Sequence, residues 1–283
     1  MSLADALDQV RLGIVQITLS AFDLADNAVR NIGRHFFVES LGTGFSASQE
    51  GCVITAYHVM EYGRHILDGI EAHQKSIQVG LPEPNTETMR GNFALVDFDI
   101  VDEDKHHDLA LLRLRRNPLV GEVLSGFSQN GRRESLRFST MTLHPKRPRD
   151  GAAVGISGYP LETSVLVTNA GWMATSWEID VKESQVPGAP EWYRKIDVAD
   201  VYLADVEVNP GNSGAPVYLI DNGKVIGVCV ASKPAPVRDQ HDKQVAVCGR
   251  ELYYSSGLTI VVPIRYAIDL LRKHNLSYVE AED

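Results

Sequence analysis

Short runs of β-branched and apolar residues, repeatedly interrupted by glycine, constrain the fold of this chain more than any other feature. From Phe36 onwards the sequence reads FFVES, then Leu41-Gly-Thr-Gly-Phe45, and then Cys52-Val-Ile-Thr-Ala-Tyr-His58. Runs of this length, bounded by turn residues, are typical of a β-barrel or a β-sandwich. The sequence therefore predicts an all-β fold.

The same pattern predicts strands along most of the chain and a convincing helix only at its end; a helical start over Leu7–Val15 stays open. The further predicted strands cover residues 10–20, 93–101, 109–114, 152–158, 164–168, 172–179, 202–208, 217–220, 224–230 and 258–262. After Pro263, a good first helical residue, apolar residues recur at i, i+3, i+4 and i+7 from Ile264 to Leu271, which indicates an amphipathic helix ending near Asn275.

These elements group into two β-rich halves. We interpret residues 1–35 as an N-terminal strand and extension, 36–130 as a first β-barrel, and 131–283 as a second β-barrel with the terminal helix. Within the second half, residues 182–199 and 232–255 are predicted to be long loops. A chain of 283 residues is long enough for this arrangement.

Charge and hydrophobicity exclude several classes of function. The net charge of -10 argues against an extended phosphate-binding surface, so we expect no nucleic acid partner. The basic stretch between about 116 and 150 is better interpreted as a solvated linker. No run approaches the ~18 apolar residues of a membrane span, and the N-terminus has no secretory pattern, so we expect no membrane span and a cytoplasmic location.

The cysteine content also agrees with a cytoplasmic location. The three cysteines, Cys52, Cys229 and Cys248, are too few and odd in number for a disulfide framework. Small hydrophobic roles in a reducing compartment are the simplest interpretation. Pairing of Cys229 with Cys248 stays open at this point.

One stretch carries a pattern suited to covalent catalysis. Asp205–Val217 reads DVEVNPGNSGAPV, in which an alternating strand enters an Asn-Pro-Gly turn and Ser213 lies between Gly211 and Gly214. Such a turn directs the N–H groups of Gly211 and Ser213 to one point beside the hydroxyl, as acyl transfer requires. The alternative is a plain glycine-rich turn.

A base and an orienting acid would decide between these alternatives. His58 ends the predicted strand CVITA, and Asp108 precedes the buried run LALLRL. A carboxylate at the mouth of a buried strand needs a hydrogen-bond donor, which the imidazole N–H of His58 can supply.

The competing interpretation of this region is a metal site. It would use Asp104, His106, His107 and Asp108 as ligands. Adjacent histidines point to opposite faces of a strand, which argues against shared ligation. We expect no metal and no cofactor.

Chain order then separates the known arrangements of such groups. The order His58, Asp108, Ser213 is that of the chymotrypsin arrangement, and Ala215 replaces the last glycine of a Gly-x-Ser-x-Gly elbow. With Leu41-Gly-Thr-Gly-Phe45 and Gly158-Tyr-Pro160 at the usual spacing, the chain resembles trypsin-like serine proteases of the HtrA/Deg branch. The Thr259-Ile-Val-Val-Pro263 segment also fits, and the resemblance spans roughly residues 36–275.

The resemblance implies a double β-barrel of the chymotrypsin type with a C-terminal α-helix. It implies that Ser213 is the nucleophile, His58 the general base and Asp108 the orienting acid, with the Gly211 and Ser213 amides as the oxyanion hole. Asn212 stands where digestive relatives have Asp, so activation by a new N-terminal amine is not expected. Few residues follow the predicted helix, so we expect no PDZ domain of the kind found in typical HtrA proteins.

Specificity is predicted from the residue six positions before the serine, Glu207. In trypsin-like relatives this position lies at the base of the primary pocket, where a buried carboxylate selects Arg or Lys. The alternative is that Glu207 faces solvent.

Three functions are consistent with these residues. The leading prediction is a serine endopeptidase that acts on protein or peptide substrates through an acyl-enzyme. The second is a catalytically silent or switched trypsin-like module that binds peptides or protein partners. The third is a non-peptide hydrolase such as an esterase, which would share the machinery.

Overall fold

The computed structural model describes residues 1–22, 36–70, 74–82, 93–120, 138–161, 163–182 and 197–281. Within these ranges the α-helices are α1 Leu3–Val10, α2 Tyr57–Gly69 and α3 Ile264–Lys273, with short 3₁₀ turns at Arg11–Gly13 and Pro118–Val120. The strands in the same ranges are β1 Ile14–Phe22, β2 Phe36–Ser48, β3 Cys52–Ala56, β4 Gln74–Pro82, β5 Phe93–Val96, β6 Phe98–Asp104, β7 Leu109–Leu114, β8 Thr142–Leu143, β9 Ala153–Gly158, β10 Val167–Lys182, β11 Asp197–Asp205, β12 Pro216–Leu219, β13 Val225–Pro236, β14 Ala246–Val247, β15 Arg250–Glu251, β16 Tyr253–Pro263 and β17 Val279–Glu280.

The strands of the first half form one sheet in the order β5-β4-β1-β2-β3-β7-β6. Strand β1, predicted within the N-terminal extension 1–35, lies in the middle of this sheet and pairs antiparallel with both β2 and β4. Its residues Ile17 and Leu19 are fully buried, as are Val53 and Ile54 of β3. Burial of β-branched and leucine side chains stabilises the first sheet.

The second half forms a separate sheet in the order β12-β9-β10-β11-β16-β13-β8-β17, with an additional β12–β13 pairing. One hydrophobic cluster contains buried side chains of both sheets, among them Leu111 of β7 and Ile260 of β16. A second cluster, which includes Met173 and Val261, lies within the second sheet. The two halves therefore pack against each other through a shared core.

The mainly β architecture and the terminal helix are as predicted, but several local predictions were wrong. Strand CVITA is followed at once by the 13-residue helix α2, which contains His58, so the chain is helical at more than its end. Strand β11 ends at Asp205 instead of 208. Strand β10 begins only at Val167, so residues 164–166 precede it, and it continues without interruption through the second predicted strand, 172–179.

The predicted loop 232–255 is also different in the structure. Strands β13 and β16 continue their pairing as far as Pro236 and Tyr253, and β14 and β15 form a small hairpin between them. Alternation of polar and apolar residues is weak there, which is why the sequence pattern predicted a loop. Residues 121–137 of the predicted basic linker and 183–196 of the other predicted loop lie outside the described residues.

Helix α3 links the two halves. Pro263 is its N-cap rather than its first helical residue, and Asn275 adopts a positive φ of 55° just beyond the helix. At its C-terminal end, Lys273 Nζ and His274 Nε2 lie 2.7 Å and 2.8 Å from Asp102 Oδ2 on β6. Burial raises the pKa of Asp102, but the hydrogen bonds from these two side chains outweigh burial and leave the pKa below its usual value.

All three cysteines are free thiols. Cys52 and Cys229 are buried and Cys248 is exposed, so Cys229 and Cys248 do not pair. Burial raises the pKa of the Cys229 thiol to about 12, which makes it unreactive.

None of the helices in the described ranges has the length and hydropathy needed to cross a bilayer.

Candidate active site

His58 lies in the first turn of α2, where the chain leaves the buried strand β3. The N-cap residue Ala56 has no side chain able to cap the free N–H groups of the helix. Asp108 does so from the start of β7: its backbone oxygen accepts from Tyr57 N at 3.0 Å, and its Oδ1 accepts from His58 N at 2.9 Å. The helix N-terminus thereby stabilises the negative charge of Asp108.

The same carboxylate also orients the imidazole ring. Asp108 Oδ2 lies 2.7 Å from His58 Nδ1, and Asp108 is only 4% exposed. A carboxylate is an acceptor, so the hydrogen bond favours the tautomer with the proton on Nδ1. Nε2 of His58 is then left as the basic nitrogen.

The turn before Asp108 is held by a second acid–histidine pair. Asp104 Oδ1 accepts from the backbone N–H groups of His106 and His107 at 3.0 Å and 3.1 Å, and its Oδ2 lies 2.6 Å from His107 Nδ1. The His107 ring stacks on Tyr266 of α3 with 3.5 Å between centroids. Asp108 itself adopts a positive φ of 57°, which this turn and its capping contacts hold in place.

The two carboxylates of the alternative metal cluster therefore bind different histidines. Asp104 binds His107, whereas Asp108 binds His58. Among the residues that the structure describes, no group of three or more His, Cys, Asp or Glu side chains is arranged to hold a metal ion.

Ser213 lies in a tight turn between β11 and β12. The turn is closed by hydrogen bonds from Asn212 N to Asn209 O at 3.0 Å and from Ala215 N to Asn212 O at 2.9 Å. Gly211 and Gly214 have φ values of +100° and +85°, which side-chain-bearing residues rarely adopt. The local geometry thus depends on the two glycines that flank the serine.

Neighbouring hydrogen bonds fix the orientation of both amides in this turn. Pro210 O accepts from Leu161 N at 2.7 Å, and a trans peptide directs the Gly211 N–H away from Leu161. Asn212 O likewise accepts from Ala215 N, so the Ser213 N–H, on the other side of that peptide, points away from Ala215. Within the described residues, neither the Gly211 N–H nor the Ser213 N–H donates a hydrogen bond.

The Ser213 turn packs directly against the first sheet. A Cβ on Gly214 would lie 2.1 Å from the backbone oxygen of Thr43 and 2.8 Å from Ala56 N, two residues before His58. Thr43 N donates to Ser213 O at 2.9 Å. These contacts bring the Ser213 turn against the junction that carries His58.

The Ser213 hydroxyl donates to Val230 O at 3.4 Å, a long contact, rather than to His58. Asn212 is buried at 3% exposure, and its Oδ1 has no hydrogen-bond partner among the described residues.

Glu207 is exposed, and its backbone oxygen accepts from the Asn169 side chain. The carboxylate of Glu207 therefore faces solvent, which is the alternative given by the sequence.

The sequence did not indicate the supporting residues around this turn. Thr43 and Tyr159 contact the Gly211 segment, and Asp104 holds the turn before Asp108. The motifs Leu41-Gly-Thr-Gly-Phe45 and Gly158-Tyr-Pro160 marked two of these places without indicating their contacts.

Two packed β-sheets, with a serine turn of one against the histidine–aspartate pair of the other, define the class of trypsin-like serine peptidase domains. Comparison with known families agrees: the family model described as "Trypsin-like peptidase domain" matches residues 42–228, more than half of the chain. The chain belongs to this family.

A curated relative is the "Probable periplasmic serine endoprotease DegP-like" of Pseudomonas fulva (strain 12-X). It is 26% identical over 196 residues, which cover 69% of this chain and 30% of the relative. The match thus spans under a third of that relative's length. The predicted resemblance to the HtrA/Deg branch is confirmed.

Solved structures show the same fold. The HtrA-type protease AlgW with decapeptide has a TM-score of 0.56 at 18% identity, covering 96% of this chain and 67% of that chain. The active form of the Rv3671c protease from M. tuberculosis has a TM-score of 0.53 at 16% identity, covering 97% and 86%. The predicted double β-barrel with a terminal helix is confirmed.

Proposed function

We propose that the chain is a serine endopeptidase that cleaves peptide bonds through an acyl-enzyme on Ser213. In this mechanism His58 Nε2 takes the proton of the Ser213 hydroxyl as Oγ attacks the carbonyl carbon. The protonated imidazole then gives the proton to the leaving amine, and water hydrolyses the acyl-enzyme by the same steps in reverse order.

The observation that carries the proposal is the hydrogen-bonded pair of His58 and Asp108 beside the Ser213 turn. The 2.7 Å contact to Nδ1 supports the tautomer that a general base needs. Asp108 is buried and held by the N-terminus of α2, so it can stabilise the imidazolium without taking its proton. In the proposed mechanism the Ser213 hydroxyl has to turn from Val230 O, a long contact of 3.4 Å, towards Nε2 of His58.

The backbone amides of Gly211 and Ser213 are the proposed oxyanion hole. Both N–H groups are free of partners in the described part of the chain, and both flanking peptides are fixed by hydrogen bonds. One preorganised donor of this kind is worth about 2.7–4 kcal/mol of transition-state stabilisation.

Proteins or peptides are the proposed substrates. The DegP-like relative is named as an endoprotease, and the AlgW protease structure contains a decapeptide. Exposure of Glu207 gives no support to selection of Arg or Lys by a buried carboxylate, so Glu207 has no part in the proposed mechanism.

A fluorophosphonate probe and casein hydrolysis test the proposal together. We expect the probe to label Ser213, and Ser213→Ala to abolish both labelling and hydrolysis. The matched control is Ser277→Ala, because Ser277 lies near the C-terminus, where it bonds Glu50, and not in the Ser213 turn. Labelling retained in Ser213→Ala, or lost in both variants, would refute the assignment of the nucleophile.

One observation favours the alternative of a switched or silent module: the Ser213 hydroxyl faces Val230 O. A silent module would bind peptides while Ser213 stays unlabelled. Comparison of ester with amide substrates separates the esterase alternative, since an esterase would hydrolyse only the former.

A further inference from the structure

We propose that Thr43 is a positioning residue, which holds the oxyanion turn in its donor orientation from the first sheet. The proposal rests on the proposed function, because it concerns how Gly211 is held for that reaction. Thr43 lies on β2, whereas the nucleophile turn belongs to the second sheet. The residue is fully buried and has no path to the substrate, so it acts through its neighbours.

The Thr43 side chain joins the two segments that enclose the turn. Its Oγ1 donates to Gly211 O at 2.7 Å and accepts from Tyr159 N at 3.0 Å. A threonine hydroxyl has a single donor, so the bond to Gly211 uses all of its donor capacity. Gly211 lies against the same segment, since a Cβ there would be 2.5 Å from Tyr159 O.

The Thr43 backbone holds the other half of the turn. Its N–H donates to Ser213 O at 2.9 Å, and its oxygen accepts from Thr55 Oγ1 at 2.7 Å. One residue therefore binds the carbonyl oxygens of both Gly211 and Ser213, the two residues whose amides form the proposed hole. Thr55 on the adjacent strand β3 fixes Thr43 in turn.

The hydroxyl bond is the part of this arrangement that the side chain controls. A glycine rotates more freely about its backbone than any other residue, so Gly211 needs external restraints on both sides. Leu161 N holds the peptide before it, and Thr43 Oγ1 holds the peptide after it. Without the hydroxyl, the Gly211–Asn212 peptide loses its restraint from the first sheet, and buried polar groups are left unpaired.

Thr43→Val tests the proposal because valine keeps the shape of the side chain and removes only the hydroxyl. We measure kcat and KM on a peptide amide substrate, the rate of fluorophosphonate labelling and the thermal unfolding temperature. We expect kcat to fall at least tenfold and at most about 10²–10³-fold, the loss of one complete oxyanion donor. KM should change less than about threefold.

Thr43→Ser restores the hydroxyl and should keep kcat within about threefold of wild type. The matched control is Thr18→Val, which removes another buried hydroxyl of the first sheet, bound to Gln16 Oε1 at 3.2 Å. It should lower the unfolding temperature without lowering kcat. If Thr43→Val does not fold, Thr43→Ala removes the same hydroxyl and is judged by the same measurements.

Two results overturn the proposal in different ways. A wild-type kcat in folded Thr43→Val or Thr43→Ala, or equal losses in the serine variant, would show that the hydroxyl does not position the turn. Absence of labelling and hydrolysis in the wild-type protein would instead refute the proposed function, and the role of Thr43 with it.

Discussion

Asp108→Asn changes one atom of the side chain and removes one of the two acceptor oxygens that face His58. In the wild-type protein, Oδ1 accepts from His58 N at 2.9 Å and Oδ2 lies 2.7 Å from His58 Nδ1. Asparagine has a single acceptor oxygen and an NH₂ group. If its oxygen caps His58 N, the NH₂ group faces Nδ1 and favours the tautomer that carries the proton on Nε2.

That tautomer cannot accept the proton of Ser213, so catalysis should fall while the fold persists. The wrong tautomer lowers kcat by about 10⁴ in the general triad mechanism, which corresponds to about 5.4 kcal/mol in the activation barrier. The lost hydrogen bond to a charged group should lower the free energy of unfolding by about 1.5–3 kcal/mol. Kinetics on a peptide substrate and urea unfolding measure these two effects.

Asp99→Asn is the matched control for this prediction. Asp99 is an aspartate of β6 whose Oδ1 accepts from the exposed side chain of Arg115 at 2.8 Å and 3.0 Å. We expect kcat of this variant to stay within about threefold of wild type. Asp108 does not orient His58 for catalysis if Asp108→Asn keeps more than a tenth of the wild-type kcat, or if both variants lose activity equally.

Two further predictions concern stability. Gly214→Ala would place a Cβ 2.1 Å from Thr43 O at a φ of +85°, so we expect the free energy of unfolding in urea to fall by more than about 3 kcal/mol. In the control Gly69→Ala, the new Cβ meets nothing within 4 Å, so the fold should not be destabilised. Similar results for the two variants would show that the close contact at Gly214 does not matter. Asp102→Asn should lower the free energy of unfolding by about 1–3 kcal/mol at pH 7. Because the folded state lowers the Asp102 pKa, this loss of stability should disappear as pH falls below about 4. An equal loss at pH 7 and pH 3 would refute a stabilising role of the Asp102 charge.

Local sequence patterns determined the strands and the order of the reactive groups. CVITA and LALLRL are apolar runs too short for buried helices, and the structure contains β3 and β7 at these positions. Gly211 and Gly214 indicated a turn that only glycine can adopt, and both have positive φ. Such features depend on neighbours in the sequence, so they are readable without a fold.

Helix α2 and the extended β13–β16 pairing could not be predicted in this way. The first turn of α2 lacks a capping side chain of its own, because Asp108 caps it from 50 residues further along the chain. The hairpin beyond Ser232 is held by pairing between strands rather than by an alternating pattern. Both elements form because of partners that are distant in sequence.

The sequence by itself determined the candidates for nucleophile, base and acid, since the types and order of these residues limit the chemistry. Only the tertiary structure decided that Asp108 both caps α2 and orients His58, that Glu207 faces solvent, and that Thr43 reaches the Gly211 carbonyl. The physical reason is that hydrogen-bond partners and burial depend on how the two sheets pack, and no local sequence pattern encodes that packing.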